Sequence, residues 1–376
     1  MMWKPLFVDA EREAIWQKIH EIAQILLIHH THDHSLMHGD LGSVFFLLHY
    51  CFETGNEECY QSAISQFSRC IESQNDLSVE GKQLTDNSSF ENGFSGLGWM
   101  VNYLQTHDMV DGDIYRIMGT IDPWLFRDMI YKTQRNANDF MQGSSGIALY
   151  CLNRQERFAQ EFLNRFVLEL YKQVYQEKFA PVHDYSIPTG ISGLFLLLRK
   201  IRSQYLKMNF LHETIELCQS AIERQNVAIK DSTTLIPGWN QNEIGILWSQ
   251  MQFKETPDHV YEQWDNYANI YLGANDEAIE AGLYGGNFSL GHLYNRIYQL
   301  SGKEKFKEYA IAFLQKGLSH ANHTEKRTGY KVWLTDINGR YSLHPGILGG
   351  LAGIGLVLLA SVSEESPDWD ELLLLS

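Results

Sequence analysis

Seven times along the chain, a small residue, two spacers and a second small residue open an apolar run, and this recurrence limits the possible folds more than any other feature. Four of these entrances are strict Gly-x-x-Gly: "HGDLGSVFFLLHY" from His38, "NGFSGLGWMVNYL" from Asn92, "QGSSGIALYCL" from Gln142 and "TGISGLFLLLRK" from Thr189. The fifth, "QNEIGILWSQ" from Gln241, has Asn242 in place of the first glycine, and the sixth, "GGNFSLGHLY" from Gly285, has Ser289 in place of the second. The seventh restores the pattern at Gly350 and Gly353.

Between the entrances lie amphipathic segments such as "EREAIWQKIHEIAQILLIHH" and "KEKFKEYAIAFLQKGL", whose apolar residues recur at three and four. A helix that is apolar nearly all round must be buried, and one with a single apolar stripe must lie outside it. Seven such pairs predict an all-α fold, an α/α toroid or barrel of seven helical hairpins in two concentric layers, as a single domain over 1–376. The paired small residues are expected to let neighbouring backbones approach where inner helices converge. The amides and positive dipole ends of those helices then gather at one mouth, which favours thiolates and carboxylates. The widest gap contains "GYKVWLTDINGRYSLHPG", in which alternating apolar residues flank Asn338-Gly339, and it predicts a β-hairpin insertion over 329–344 beside that mouth.

Composition excludes several partners. A net charge of −16 repels nucleic acid and anionic lipid, and favours a neutral or basic peptide. No run of eighteen uncharged apolar residues is present, so no transmembrane segment is expected. Five cysteines without a CxxC pair suggest reduced thiols and a cytoplasmic location.

Seven glycine-entered inner helices in a chain of this length resemble the lanthionine synthetase C family. That resemblance implies an α/α barrel in which a zinc ion, held by two cysteines and a histidine, activates a peptide thiol for addition to a dehydrated serine or threonine. The family's fifth entrance reads roughly Trp-Cys-Tyr-Gly; here "WNQNEIG" keeps Trp239 and places Asn240 at the cysteine. Its sixth reads Cys-His-Gly; here Tyr284 and Gly285 precede Gly286. Thr189 stands where the fourth entrance has a catalytic histidine, and Asp139 keeps the position of the aspartate that assists it. No metal and no other cofactor is therefore expected.

Several candidates have a structural alternative. Asp139 is a tentative acid/base, or a helix cap. Trp239, Asn240, Tyr284, Thr189, His183 and His344 are candidate peptide contacts; the aromatics also suit space filling, and the histidines capping or packing. The tract "HHTHDHSLMH" from His29 to His38 carries metal-ligand residue types without ligand spacing; it reads as a solvated helix-to-loop segment, with His38 its inward member. Two functions follow from the resemblance. One is a zinc-free protein of lanthipeptide maturation that handles a dehydrated or cysteine-containing precursor, with or without forming thioether rings. The other is a non-catalytic peptide-binding partner of a dehydratase or transporter. A six-hairpin α/α glycosidase would need paired carboxylates in a cleft, and seven entrances count against it.

Overall fold

The computed structural model describes residues 3–79, 87–110, 118–154, 156–175, 184–225, 237–273, 281–319 and 344–376, and its regular elements are all helical. In chain order the α-helices are α1 (Asp9–Ile28), α2 (Asp40–Thr54), α3 (Glu57–Val79), α4 (Phe94–Thr106), α5 (Asp122–Thr133), α6 (Ser144–Asn153) and α7 (Arg157–Tyr175). They continue with α8 (Ile191–Gln204), α9 (Leu211–Glu223), α10 (Asn242–Met251), α11 (Asp258–Gly273), α12 (Asn287–Ser301), α13 (Glu304–Ser319) and α14 (Leu351–Val362). Odd-numbered helices form the outer layer and even-numbered ones the inner layer. Every residue of α14 is buried, whereas α1 buries one stripe, Ile15, Ile19, Ile22, Ala23 and Leu26, as the two kinds of periodicity require. The seventh inner helix packs on the first hairpin, α14 against α1 and α2, and closes the α/α toroid. The hairpin expected over 329–344 lies, apart from His344, outside the described residues, and no strand occurs among the described ones.

The paired glycines serve a purpose other than the expected one. Before the first four inner helices and the seventh the chain folds back over that helix's first turn, and the glycines make room for a loop rather than for a neighbouring helix; at the fifth, Gly245 makes room for the Tyr185 carbonyl of the preceding loop. A Cβ on Gly96 would lie 2.1 Å from the Phe90 carbonyl oxygen, and on Gly193 1.9 Å from that of Ile187. Close approach between helices falls instead to glycines further along: Gly98 faces the Tyr150 ring, and Gly355 the Phe46 ring. Ser289 is tolerated because the loop beside it supplies Gly238, and its hydroxyl accepts the Trp239 amide at 2.9 Å. Gly193→Ala is expected to lower the denaturation midpoint by an amount equivalent to about 1–3 kcal/mol. Gly273→Ala, with open space around it, is the control and should change little.

The entrance loops are joined to one another. The residue two before each entrance's first small residue donates its amide to the carbonyl of its counterpart in the next repeat: Met37 to Glu91, Glu91 to Met141, Met141 to Pro188, Asn240 to Tyr284, Tyr284 to Leu348, and Leu348 back to Met37. The gap falls after Pro188, which has no N–H to give. There Asn242, the residue that broke the glycine pattern, accepts the Tyr185 amide through its side-chain oxygen at 2.8 Å.

The axis is filled. A 3₁₀ turn, Asp368–Leu373, and the residues after it bury Trp369, Asp370 and Leu372 to Leu375 among the inner helices. Asp370 receives Arg296 at 2.6 Å through both Nε and Nη2, and His292 Nε2 at 2.7 Å. Glu371 accepts the Trp99 indole at 2.8 Å and pairs with Lys200 at 3.0 Å.

Beside this plug, at the end of the barrel away from the entrances, is a cavity of about 330 Å³ lined by His49, His107 and Tyr103. Burial, reinforced by His107, lowers His49 from an ordinary 6.5 to about 3. The folded protein thus keeps this ring neutral while the unfolded chain protonates it, so stability is complete above pH 6.5 and is lost as pH falls from there toward 3. His292, lowered chiefly by burial, adds in the same direction. We expect unfolding free energy to drop by about 1–2 kcal/mol or more between pH 6.5 and 5, and His49→Gln to flatten the slope. A profile that is level over that range, in wild type and variant alike, would contradict this.

The structure also corrects the expectation of five reduced thiols. Cys51 near the end of α2 and Cys59 near the start of α3 are joined as a disulfide, their Cα atoms 6.0 Å apart across a tight turn containing Gly55 at φ 65°. Such a pair needs no CxxC spacing, only a helix hairpin that brings the two Cα atoms within reach. Cys70, Cys151 and Cys218 remain as buried thiols.

Candidate functional site

Of the residues two before each entrance, Glu91, Asn240 and Tyr284 keep exposed surface at the mouth, whereas Met37, Met141, Pro188 and Leu348 are buried. Tyr284, 44% exposed, and the half-buried Asn240 are adjacent, the Asn240 amide bonding to the Tyr284 carbonyl at 3.3 Å. Trp239, expected as a peptide-facing ring, is 1% exposed. It lies edge-on beneath Tyr284, with ring centroids 6.3 Å apart, and its indole N–H donates to the Leu373 carbonyl at 2.9 Å. The structure therefore brings Trp239, Asn240 and Tyr284 together, but only the last two reach the surface.

Thr189 is exposed, yet its hydroxyl donates to the Asp184 carboxylate at 2.5 Å within its own loop. Asp139 accepts the Gln142 amide at 2.6 Å. Ser35, Ser89 and Ser186 make the same bond to the residue three further on, at 3.3, 3.4 and 3.4 Å. Asp139 thus fills a position where other repeats use serine to tie the loop. His344 is half-buried, and its carbonyl accepts the Leu351 amide at 2.9 Å, as the Asp33 carbonyl does for Asp40. His183 lies outside the described residues.

The rim holds a pair that the sequence reading only half identified. His38 Nε2 is 2.7 Å from Glu91 Oε1, and Gln142 Nε2 donates to Glu91 Oε2 at 3.0 Å. Side-chain exposures of 26% and 20% leave His38 and Glu91 within reach of a bound molecule. The hydrogen bond from His38, assisted by Gln142 and opposed by partial burial, holds the Glu91 carboxyl below its ordinary value. Glu91 stands in the same register as Asn240 and Tyr284, two before the first small residue, and that register is the signal that would have found it.

The described residues form an α/α toroid plugged along its axis, with the loops that open its inner helices gathered at one mouth. A family model described as lanthionine synthetase C-like protein matches residues 30–374, and the chain belongs to that family. Among solved structures it is similar to nisin cyclase, with a TM-score of 0.69 over 96% of this chain and 98% of that one. The sequence identity is 14%, so the likeness is one of fold. No curated protein sequence matches the chain.

The zinc that the family implies finds no fitting donors at its usual place. The corresponding positions offer the carboxamide of Asn240, the phenol of Tyr284 and, at Gly285, no side chain. Zinc is held by thiolate, imidazole or carboxylate donors, and these three positions supply none of them. Asn240 Oδ1 is moreover engaged by Gln241 Nε2 at 3.5 Å.

Proposed function

We propose that this protein handles a dehydrated or cysteine-containing ribosomal precursor peptide at the barrel mouth, without zinc at the family's position. The observation that carries this reading is the replacement of the ligand set by Asn240, Tyr284 and Gly285 on a rim whose hydrogen-bonded loops persist. Tyr284 supplies the exposed aromatic contact, backed from below by Trp239, with Asn240 and Thr189 as polar neighbours. The net charge of −16 suits a basic peptide, and the filled axis leaves the mouth as the approach. A dehydratase or transporter that delivers or removes the peptide fits the same role.

A second reading rests on His38 and Glu91. His38 Nε2 donates to Glu91 and the ring's other nitrogen is buried, so the partly exposed Glu91 carboxylate is the member of the pair that takes the proton of a peptide thiol as that thiol adds to a dehydroalanine, without a metal.

Calorimetric titration with a dehydrated, cysteine-containing precursor tests both. Tyr284→Ala should weaken binding at least five-fold, about 1 kcal/mol, with the helical signal intact. Equal affinity for wild type and variant would move the peptide elsewhere. Loss of free thiol that is accelerated by wild type and abolished in Glu91→Gln would establish the second reading; an unaccelerated reaction leaves binding as the function.

A further inference from the structure

The His29 to His38 tract meets the outer layer at a place remote in the ring from the family's metal position. His34 leaves the loop before α2, Asp40 is the first residue of α2, and Cys70 projects from α3, so three side chains from three elements converge between the layers of the first two repeats. His34 Nδ1 is 3.6 Å from Asp40 Oδ2 and 3.8 Å from Cys70 Sγ, and the three ligand atoms all lie within 4.8 Å of one another. Tetrahedral bonds of the lengths usual for zinc to nitrogen, oxygen and sulfur put neighbouring donors about 3.3–3.6 Å apart. The two distances from His34 are thus within a few tenths of an ångström of closing on an ion.

The Arg69 guanidinium lines the cavity that these three side chains share, 3.2 Å from His30 Nε2, and two oxygen acceptors offset it on the cation's side. Asp40 Oδ1 is fixed by the Thr31 amide at 3.0 Å and the Thr31 hydroxyl at 2.9 Å, which leaves Oδ2, in only a long 3.2 Å contact with that amide, turned toward His34. Such supporting bonds orient a ligating carboxylate. Gln66, 3% exposed, lines the same cavity of about 280 Å³ and binds the Leu27 carbonyl through Nε2 at 3.1 Å, but its Oε1 is buried without a partner. An unpaired buried acceptor in a cavity wall calls for a donor, and a water on a bound cation is one.

We propose that His34, Asp40 and Cys70 bind one divalent cation of the zinc class between the two layers, with Gln66 Oε1 accepting from a water in the remaining coordination position. As the metal–sulfur bond forms, the Cys70 thiol gives its proton to solvent; the thiolate and the Asp40 carboxylate together then balance the ion's two charges. A thiolate and imidazole set selects zinc or cobalt over magnesium or calcium, which prefer oxygen donors alone. The site is independent of the peptide reading of the mouth.

The test uses the full-length chain, stripped with chelator and titrated with cobalt(II). One cobalt per chain with a thiolate-to-metal absorption band, displaced by zinc, is the expected result. Cys70→Ser should abolish the band. His34→Gln, a change on a half-buried loop that leaves the helical core untouched, should weaken cobalt binding at least ten-fold. No band in folded wild type would overturn the proposal. So would stoichiometric binding that is unchanged in His34→Gln, because the metal would then sit on the exposed histidines of the tract.

Discussion

Replacing Asp370 with alanine is expected to remove about 3–5 kcal/mol of stability, because it strips the counter-charge from Arg296 in the middle of the barrel. Asp370 has no exposed surface, and its two oxygens take every bond that Arg296 Nε and His292 Nε2 make there. Burial alone would raise this carboxyl, but Arg296 and His292 outweigh it and hold it below its ordinary value of 3.8. The contribution is therefore complete above pH 3.8 and is lost only as pH falls below that, beyond the pH 5–6.5 interval in which the histidine effect is read. Guanidinium chloride unfolding followed by circular dichroism reads the loss directly. Asp370→Ala combined with Arg296→Met should recover part of it, since the second change removes the orphaned charge. A single variant with its midpoint within error of wild type would mean that the axis admits enough water to solvate Arg296.

Trp239→Ala carries the second large effect, and separates fold from function. The side chain is sealed beneath Tyr284, and its indole N–H holds the Leu373 carbonyl, so truncation opens a large cavity and frees the plug on that side. Loss of a buried indole costs about 3–5 kcal/mol. Tyr284→Ala, by contrast, removes a ring that is 44% exposed and should leave thermal stability nearly unchanged. The pair of variants thus predicts opposite phenotypes: one destabilised, the other stable but weak in binding peptide. Trp239→Ala of wild-type stability would show that the plug holds without that hydrogen bond.

This contrast shows where sequence reasoning stops. The seven entrances, the two layers and the ring closure were legible because each inner helix repeats the same local constraint. The cause of the constraint was not, because Gly193 is pressed by the Ile187 carbonyl of its own chain, a fold-back that helical spacing does not reveal. Trp239 read as a surface residue because its neighbours in sequence lie at the mouth; its burial depends on residues 369 to 375, which are distant in the chain. Asp139 was legible as either an acid/base or a cap, and its kinship with Ser35, Ser89 and Ser186, which make the same bond in their own loops, lies in the register of the entrances. Cys70 gave no metal signal because its partner His34 is 36 residues away and the two meet only across the layers. Asn240, Tyr284 and Gly285 were singled out through the family resemblance, which could be laid on this chain because they sit at fixed steps before an entrance.

The circle of amides around the mouth is a hoop with a single clasp. From Asn240 onward through Tyr284, Leu348, Met37, Glu91 and Met141 to Pro188, six backbone hydrogen bonds run in series. Between the fourth and fifth loops, among the described residues, the Asn242 side chain takes over by holding Tyr185. A closed hoop would share any outward strain equally, whereas one fastened by a rotatable side chain yields at the fastening. Thr189 and Asn240 flank that fastening, so outward strain on the rim would be taken up between the fourth and fifth loops.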